Sequence, residues 1–179
     1  MAQQSSAKEV DPEDVSKVIV FLKEVGASSS IPDDCCTNDS YSNILGRHIK
    51  VHKIQRGRLI CHLSVKPAIL NFFGGIHGGA IAAFSERMAI ACARTVVAED
   101  KEIFLGELGI SYLSAAPHNA ELIMEASVVR SGRNVTVVAV EFKFNDTGKL
   151  HFSLLLISPS MVRGSGAANA QLKQLLDKY

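Results

Sequence analysis

The stretch Asn71-Phe72-Phe73-Gly74-Gly75-Ile76-His77-Gly78-Gly79-Ala80-Ile81-Ala82-Ala83-Phe84-Ser85-Glu86 decides how the rest of this chain is read. Four glycines surround one histidine, so the backbone there is free to adopt positive φ and to approach a ligand closely. The residues that follow recur at helical spacing, with Ile81, Phe84, Met88 and Cys92 on one stripe, which predicts a helix from about His77 to Ala98. Alanines at 80, 82, 83, 89, 91 and 93 make that helix slim, suited to close approach by a sheet. Free amides at its start can face a developing anion. Glu86, about two turns along, is an acid where a buried helix would be apolar, and it is read as a base facing the same ligand.

Working outward, Arg47 to Gln55 and Arg58 to Val65 read as two strands joined by a tight turn at Arg56-Gly57. Alternation in the first puts Ile49, Val51 and Lys53 on one side and His48, Lys50 and His52 on the other. Beyond the helix, strands are expected around Leu108 to Tyr112, Leu122 to Val129, Val135 to Phe144 and Leu150 to Ile157. Turns at Ser131-Gly132 and Asn145-Asp146-Thr147-Gly148 separate the last three. The very apolar last strand is expected to be buried on both faces or covered by another chain. The result is α+β, with about six antiparallel strands and one central helix.

Before this lies a helix capped by Asp11, begun at Pro12 and ended at Gly26, carrying Val15, Val18, Ile19, Leu22 and Val25 at helical spacing. Residues 27 to 46 are polar and turn-rich and read as a linker. After the strands, a Gly-Ser-Gly break precedes a short helix over 171 to 179. The expected organisation is residues 1–44 as N-terminal helix and linker, 45–158 as the main domain and 159–179 as a tail.

The composition narrows the chemistry. A chain of 179 residues with 47% hydrophobic content suffices for one buried core, and a net charge of +1 without a basic run gives no reason to expect nucleic acid. Cys35, Cys36, Cys61 and Cys92 show no metal-ligand spacing and read as reduced thiols, so no metal is expected. The acidic start and the ending Asp-Lys-Tyr carry no targeting address, and no apolar run is long enough to insert in a bilayer, which leaves the cytosol as the expected compartment. A phosphate loop is excluded by the missing Lys-Ser/Thr, and a serine hydrolase by the missing nucleophile elbow.

Asn71 six residues before His77, His77-Gly78-Gly79, and Glu86 nine residues after His77 resemble the active-site segment of the hotdog-fold acyl-CoA thioesterases, the branch with the phenylacetyl-CoA and 4-hydroxybenzoyl-CoA enzymes. The order β, β, helix, four strands is also that of the hotdog fold, over residues 45 to 158. The resemblance implies hydrolysis of an acyl-CoA, with no cofactor. It places the carbonyl on the Gly78 amide assisted by Asn71, with Glu86 activating water or attacking directly. It implies a site shared between subunits of a homodimer or homotetramer. His77 is a catalytic candidate with an equally good structural reading as the start of the helix. Asn71 has one as a turn cap, and Glu86 has one as a surface helix residue.

Two departures accompany the resemblance. Some relatives place a hydroxyl about nineteen positions beyond the acid, where this chain reads Phe104-Leu105-Gly106. Relatives also often carry basic residues on the final strand, whereas here the basic candidates for CoA are Arg130, Arg133 and Lys149, with Gly79 as a further substrate contact. The competing readings are a hotdog protein that binds acyl-CoA or acyl chains without turnover, and a hydratase, whose usual His-Phe-Pro-Gly run is absent.

Overall fold

The computed structural model describes residues 12–24, 40–98, 100–133 and 135–162. The proposed stop at Gly26, Cys35, Cys36 and the helix over 171 to 179 lie outside the described residues, as does the burial of the side chains from Leu154 to Ile157. The chain divides into two units, Met1–Ser40 and Tyr41–Tyr179.

The first unit contains α1, Pro12–Glu24, with Pro12 in its first turn as the sequence requires. Its apolar stripe is open: Val15, Val18, Ile19 and Leu22 are 42 to 56% exposed.

Next in the chain is α2, Ser40–Gly46, whose last six residues open the second unit and which lies inside what the sequence offered as linker. Leu45 is buried and anchors it, which corrects the linker assignment over its last seven residues. Next come β1, Ile49–Gln55, and β2, Arg58–Ser64, then a 3-10 turn over Pro67–Ile69 and α3, Gly78–Arg94. Five strands follow: β3 Lys101–Ile103, β4 Glu107–Tyr112, β5 Glu121–Ser131, β6 Val135–Phe144 and β7 Leu150–Val162. All pair antiparallel in the order β1-β2-β5-β6-β7, and β7 carries β4 and β3 end to end along its other side. Among the described residues the sheet thus has seven strands rather than about six. The extra one is the three-residue β3, whose partners Ser160 to Val162 lie far along the chain.

Period-two alternation places Leu59, Cys61 and Leu63 of β2, Leu122, Met124 and Ala126 of β5, and Val138, Val140 and Phe142 of β6 on the inner face. Ile81, Phe84, Met88 and Cys92 of α3 join the same core at 0 to 2% exposure, so the sheet wraps one face of the helix. In β1 a bulge between Val51 and Lys53 shifts the register. Opposite the buried Leu59 therefore stands Ile54 and not Lys53, which moves to the outer face with Ile60.

The helix ends four residues earlier than its spacing suggests. Thr95 donates its hydroxyl to the Cys92 carbonyl and accepts from the Gly57 amide, so the β1-β2 turn, with Gly57 at φ 73°, closes off the helix end. Among the described residues no helix is long and apolar enough to cross a membrane.

Candidate active site

Asn71 organises the glycine-rich turn. Its amide donates to the Gly75 carbonyl at 2.7 Å, its carbonyl accepts from Gly74, and its side-chain oxygen accepts from the amides of Phe73 and Gly75 at 3.0 and 3.1 Å. Gly74 sits at φ 77°, a region a side chain would strain. The turn is clamped from both sides. Ile76 donates to the Ala116 carbonyl, His118 donates to the Gly74 carbonyl, and His77 donates to the Ile69 carbonyl. With the Asn71 oxygen committed to the loop, its nitrogen makes only a 3.5 Å contact with the Ile76 carbonyl.

A helix start leaves its first amides without intrahelical partners. Here His77 is the N-cap: its Nδ1 accepts from the Gly79 amide at 2.9 Å, and its carbonyl accepts from Ala80 and Ile81. Among the described residues this leaves the Gly78 amide alone without a partner in the first turn. A Cβ on Gly79 would stand 3.1 Å from the His77 Nδ1, so the absence of a side chain there protects the cap. The Gly78 carbonyl accepts from the Tyr112 hydroxyl at 3.0 Å. Sequence reasoning missed Tyr112, because a contact 34 residues away across the sheet leaves no local signal.

Glu86 is half-buried on α3, and among the described residues its carboxylate has no hydrogen-bond or ion-pair partner. Its neighbours three and four residues away are Ala82, Ala83, Ala89 and Ile90, so the ordinary surface pairing of a helix glutamate is not on offer. Ser85 beside it is buried and donates to the Ile81 carbonyl, which leaves no nucleophile there.

The chain does not bring Glu86 to its own Gly78. Eight residues separate them by about 12 Å of helix axis. Helix amides also point toward the N-terminus, away from Glu86. The expectation that one chain's carboxylate faces the same ligand as its own first amide therefore does not hold within a single chain.

The basic residues disperse as well. Arg130 and Arg133 are exposed around the β5-β6 turn, whereas Lys149 is exposed before β7 at the far end of β6. Ten strand residues put roughly 30 Å between these ends, so the three do not form one cluster within a chain. Among the described residues no group of three or more potential ligands could hold a metal ion. Cys61 and Cys92 are buried and free, and burial pushes both thiols above their ordinary value.

Comparisons with known proteins bear on the fold and on the likeness to a family. Residues 73–150 match the thioesterase superfamily. A Caenorhabditis elegans protein named as an esterase is 30% identical over 98 residues, which cover 55% of this chain and 57% of that protein. Human acyl-coenzyme A thioesterase 13 is 25% identical over 114 residues, covering 62% of this chain and 78% of that protein. A hypothetical thioesterase protein of Streptococcus pneumoniae, solved with coenzyme A, superposes with a TM-score of 0.59 at 18% identity, over 65% of this chain and 91% of the other. With a sheet wrapped on one central helix, this chain has the hotdog fold, and the segment that matches the thioesterase superfamily runs from Phe73 through the glycines and His77 to beyond Glu86.

Proposed function

We propose that the protein is an acyl-CoA thioesterase that hydrolyses a fatty or aromatic acyl-CoA to the free acid and CoA. The observation that carries this is the amide of Gly78 at the start of α3, which among the described residues is the one first-turn amide without a partner, beside a neighbour already capped by His77. The thioester carbonyl oxygen accepts from that amide and from the free N–H of the Asn71 carboxamide, whose orientation the turn fixes. Glu86 removes a proton from water as the water oxygen adds to the carbonyl carbon. The C–S bond then breaks, and the CoA thiolate takes the proton back. A thioester needs no more than this, because its carbonyl is electrophilic and its thiolate leaves readily.

Since amide and carboxylate diverge within one chain, the Glu86 that serves a given Gly78 belongs to a second copy, and the working unit is a homodimer or homotetramer. The proposal places the enzyme in the cytosol, consistent with the free thiols Cys61 and Cys92. Arg130, Arg133 and Lys149 are proposed as phosphate contacts contributed from separate ends of the sheet.

Thiol release from a panel of acyl-CoAs tests the reading. Glu86→Gln keeps the shape and should lower turnover by about 10²-fold or more with binding retained. Activity within a few fold of wild type would remove Glu86 from the chemistry and leave acyl-CoA binding without turnover as the better reading.

A further inference from the structure

An apolar cavity of about 270 Å³ opens beside the helix start. The short α2 contributes Tyr41 and Ile44, the 3-10 turn and its exit contribute Ala68 and Leu70, and the first turn of α3 contributes His77 and Gly79. We infer that this cavity takes the acyl group of the substrate, that it suits a medium-length chain, and that Tyr41 sets the upper limit on its size. The inference rests on the thioesterase reading and deepens it.

Three observations support it. The cavity touches the two residues that flank the free Gly78 amide, so a carbonyl held there places its acyl substituent close to the cavity mouth. Apart from the His77 ring and the Tyr41 hydroxyl, the lining side chains are hydrocarbon, and apolar sites of this kind take apolar groups. A cavity of about 150 Å³ is sufficient for benzene, so this one accommodates an acyl group of roughly six to ten carbons and is short for a palmitoyl chain. Tyr41 is 55% exposed, so its ring can be exchanged without opening the core.

A second apolar groove competes for the role. It lies between β1 and α3 and includes Ile49, Val51, Met88 and Ala91. It touches none of His77, Gly78 and Gly79.

The test measures kcat/KM for acetyl-, octanoyl- and palmitoyl-CoA in the full chain. Octanoyl-CoA should be preferred. Tyr41→Trp and Ala68→Leu, which fill the cavity from opposite contributors, should each lower the octanoyl-to-acetyl ratio about 10-fold or more, and Tyr41→Ala should raise the palmitoyl-to-octanoyl ratio. Ala68 is exposed, so its enlargement remains interpretable should the Tyr41 variants misfold. Ala91→Leu in the competing groove should leave both ratios in place. An unchanged ratio in Ala68→Leu, a ratio moved by Ala91→Leu instead, or a wild-type preference for palmitoyl-CoA would overturn the inference while leaving hydrolysis standing. Absence of hydrolysis by the wild type would sink the thioesterase reading alone. Calorimetric affinity for octanoyl-CoA relative to CoA then decides the cavity: a gain that Ala68→Leu abolishes supports it, and no gain rejects it.

Discussion

α1 and α3 carry the same kind of pattern and meet opposite fates. Both place apolar side chains at helical spacing. Ile81, Phe84, Met88 and Cys92 of α3 are almost wholly buried, whereas Val15, Val18, Ile19 and Leu22 of α1 stand about half exposed. Periodicity identifies the face a helix is able to bury, and says nothing about what arrives to cover it. In α3 the cover is the inner face of β2, β5 and β6, whose own alternation matches the helix stripe. Helix and sheet patterns agree with each other there, and that agreement specifies the fold more firmly than either alone.

The widest test of this contrast exchanges one side chain from each stripe. Phe84→Ala leaves a cavity in the core and should cost about 3 to 5 kcal/mol in chemical denaturation. Val18→Ser should stay within about 0.5 kcal/mol. A Val18 loss approaching that of Phe84 would break the comparison, since it would mean that the α1 stripe is covered in solution.

A smaller effect separates two duties of Asn71. Asn71→Ala strands the amides of Phe73 and Gly75 and should cost about 1 to 3 kcal/mol as well as activity. Asn71→Asp keeps the accepting oxygens and removes the donor, so melting should stay near wild type while turnover falls about 10²-fold to 10³-fold. Equal activity in Asp and wild type would make Asn71 a loop cap alone.

The smallest effect concerns the thiols. Buried Cys61 and Cys92 should resist thiol reagents until the protein unfolds. Their ionisation is raised from 9.0 in the fold, so the unfolded chain loses those protons first. Their contribution to stability is intact below pH 9 and declines as pH rises above it. Rapid labelling of either under native conditions would show that the core around α3 opens readily.

Much of this was legible in the sequence because it is local or periodic. The central helix, the three hairpin turns, the strands of the β5-β6-β7 meander and the glycine-rich segment all follow from spacing and turn chemistry. The failures share a cause. α2 is seven residues long, with only Ile44 and Leu45 as aliphatic side chains, too few to display a period. β3 exists through pairing with residues near the other end of the domain. The bulge at His52 changes which residues face inward without changing any residue type. In the candidate site, the glycine-rich turn and the helix start were readable, but the emptiness of the Gly78 amide depends on where the His77 ring turns, and the Tyr112 contact depends on the closed sheet.

The His77 cap also fixes the chemistry open to its ring. An imidazole nitrogen that accepts from an amide carries a lone pair there, so in the neutral ring the proton resides on Nε2. That tautomer presents a donor on its free side and no basic nitrogen. His77 is therefore equipped to hold an oxygen but not to strip a proton while the cap is intact. On the proposed reading proton abstraction falls to Glu86, and that reading differs from dehydration chemistry that runs on a histidine base. The same bond that starts the helix selects among the reactions the fold could host.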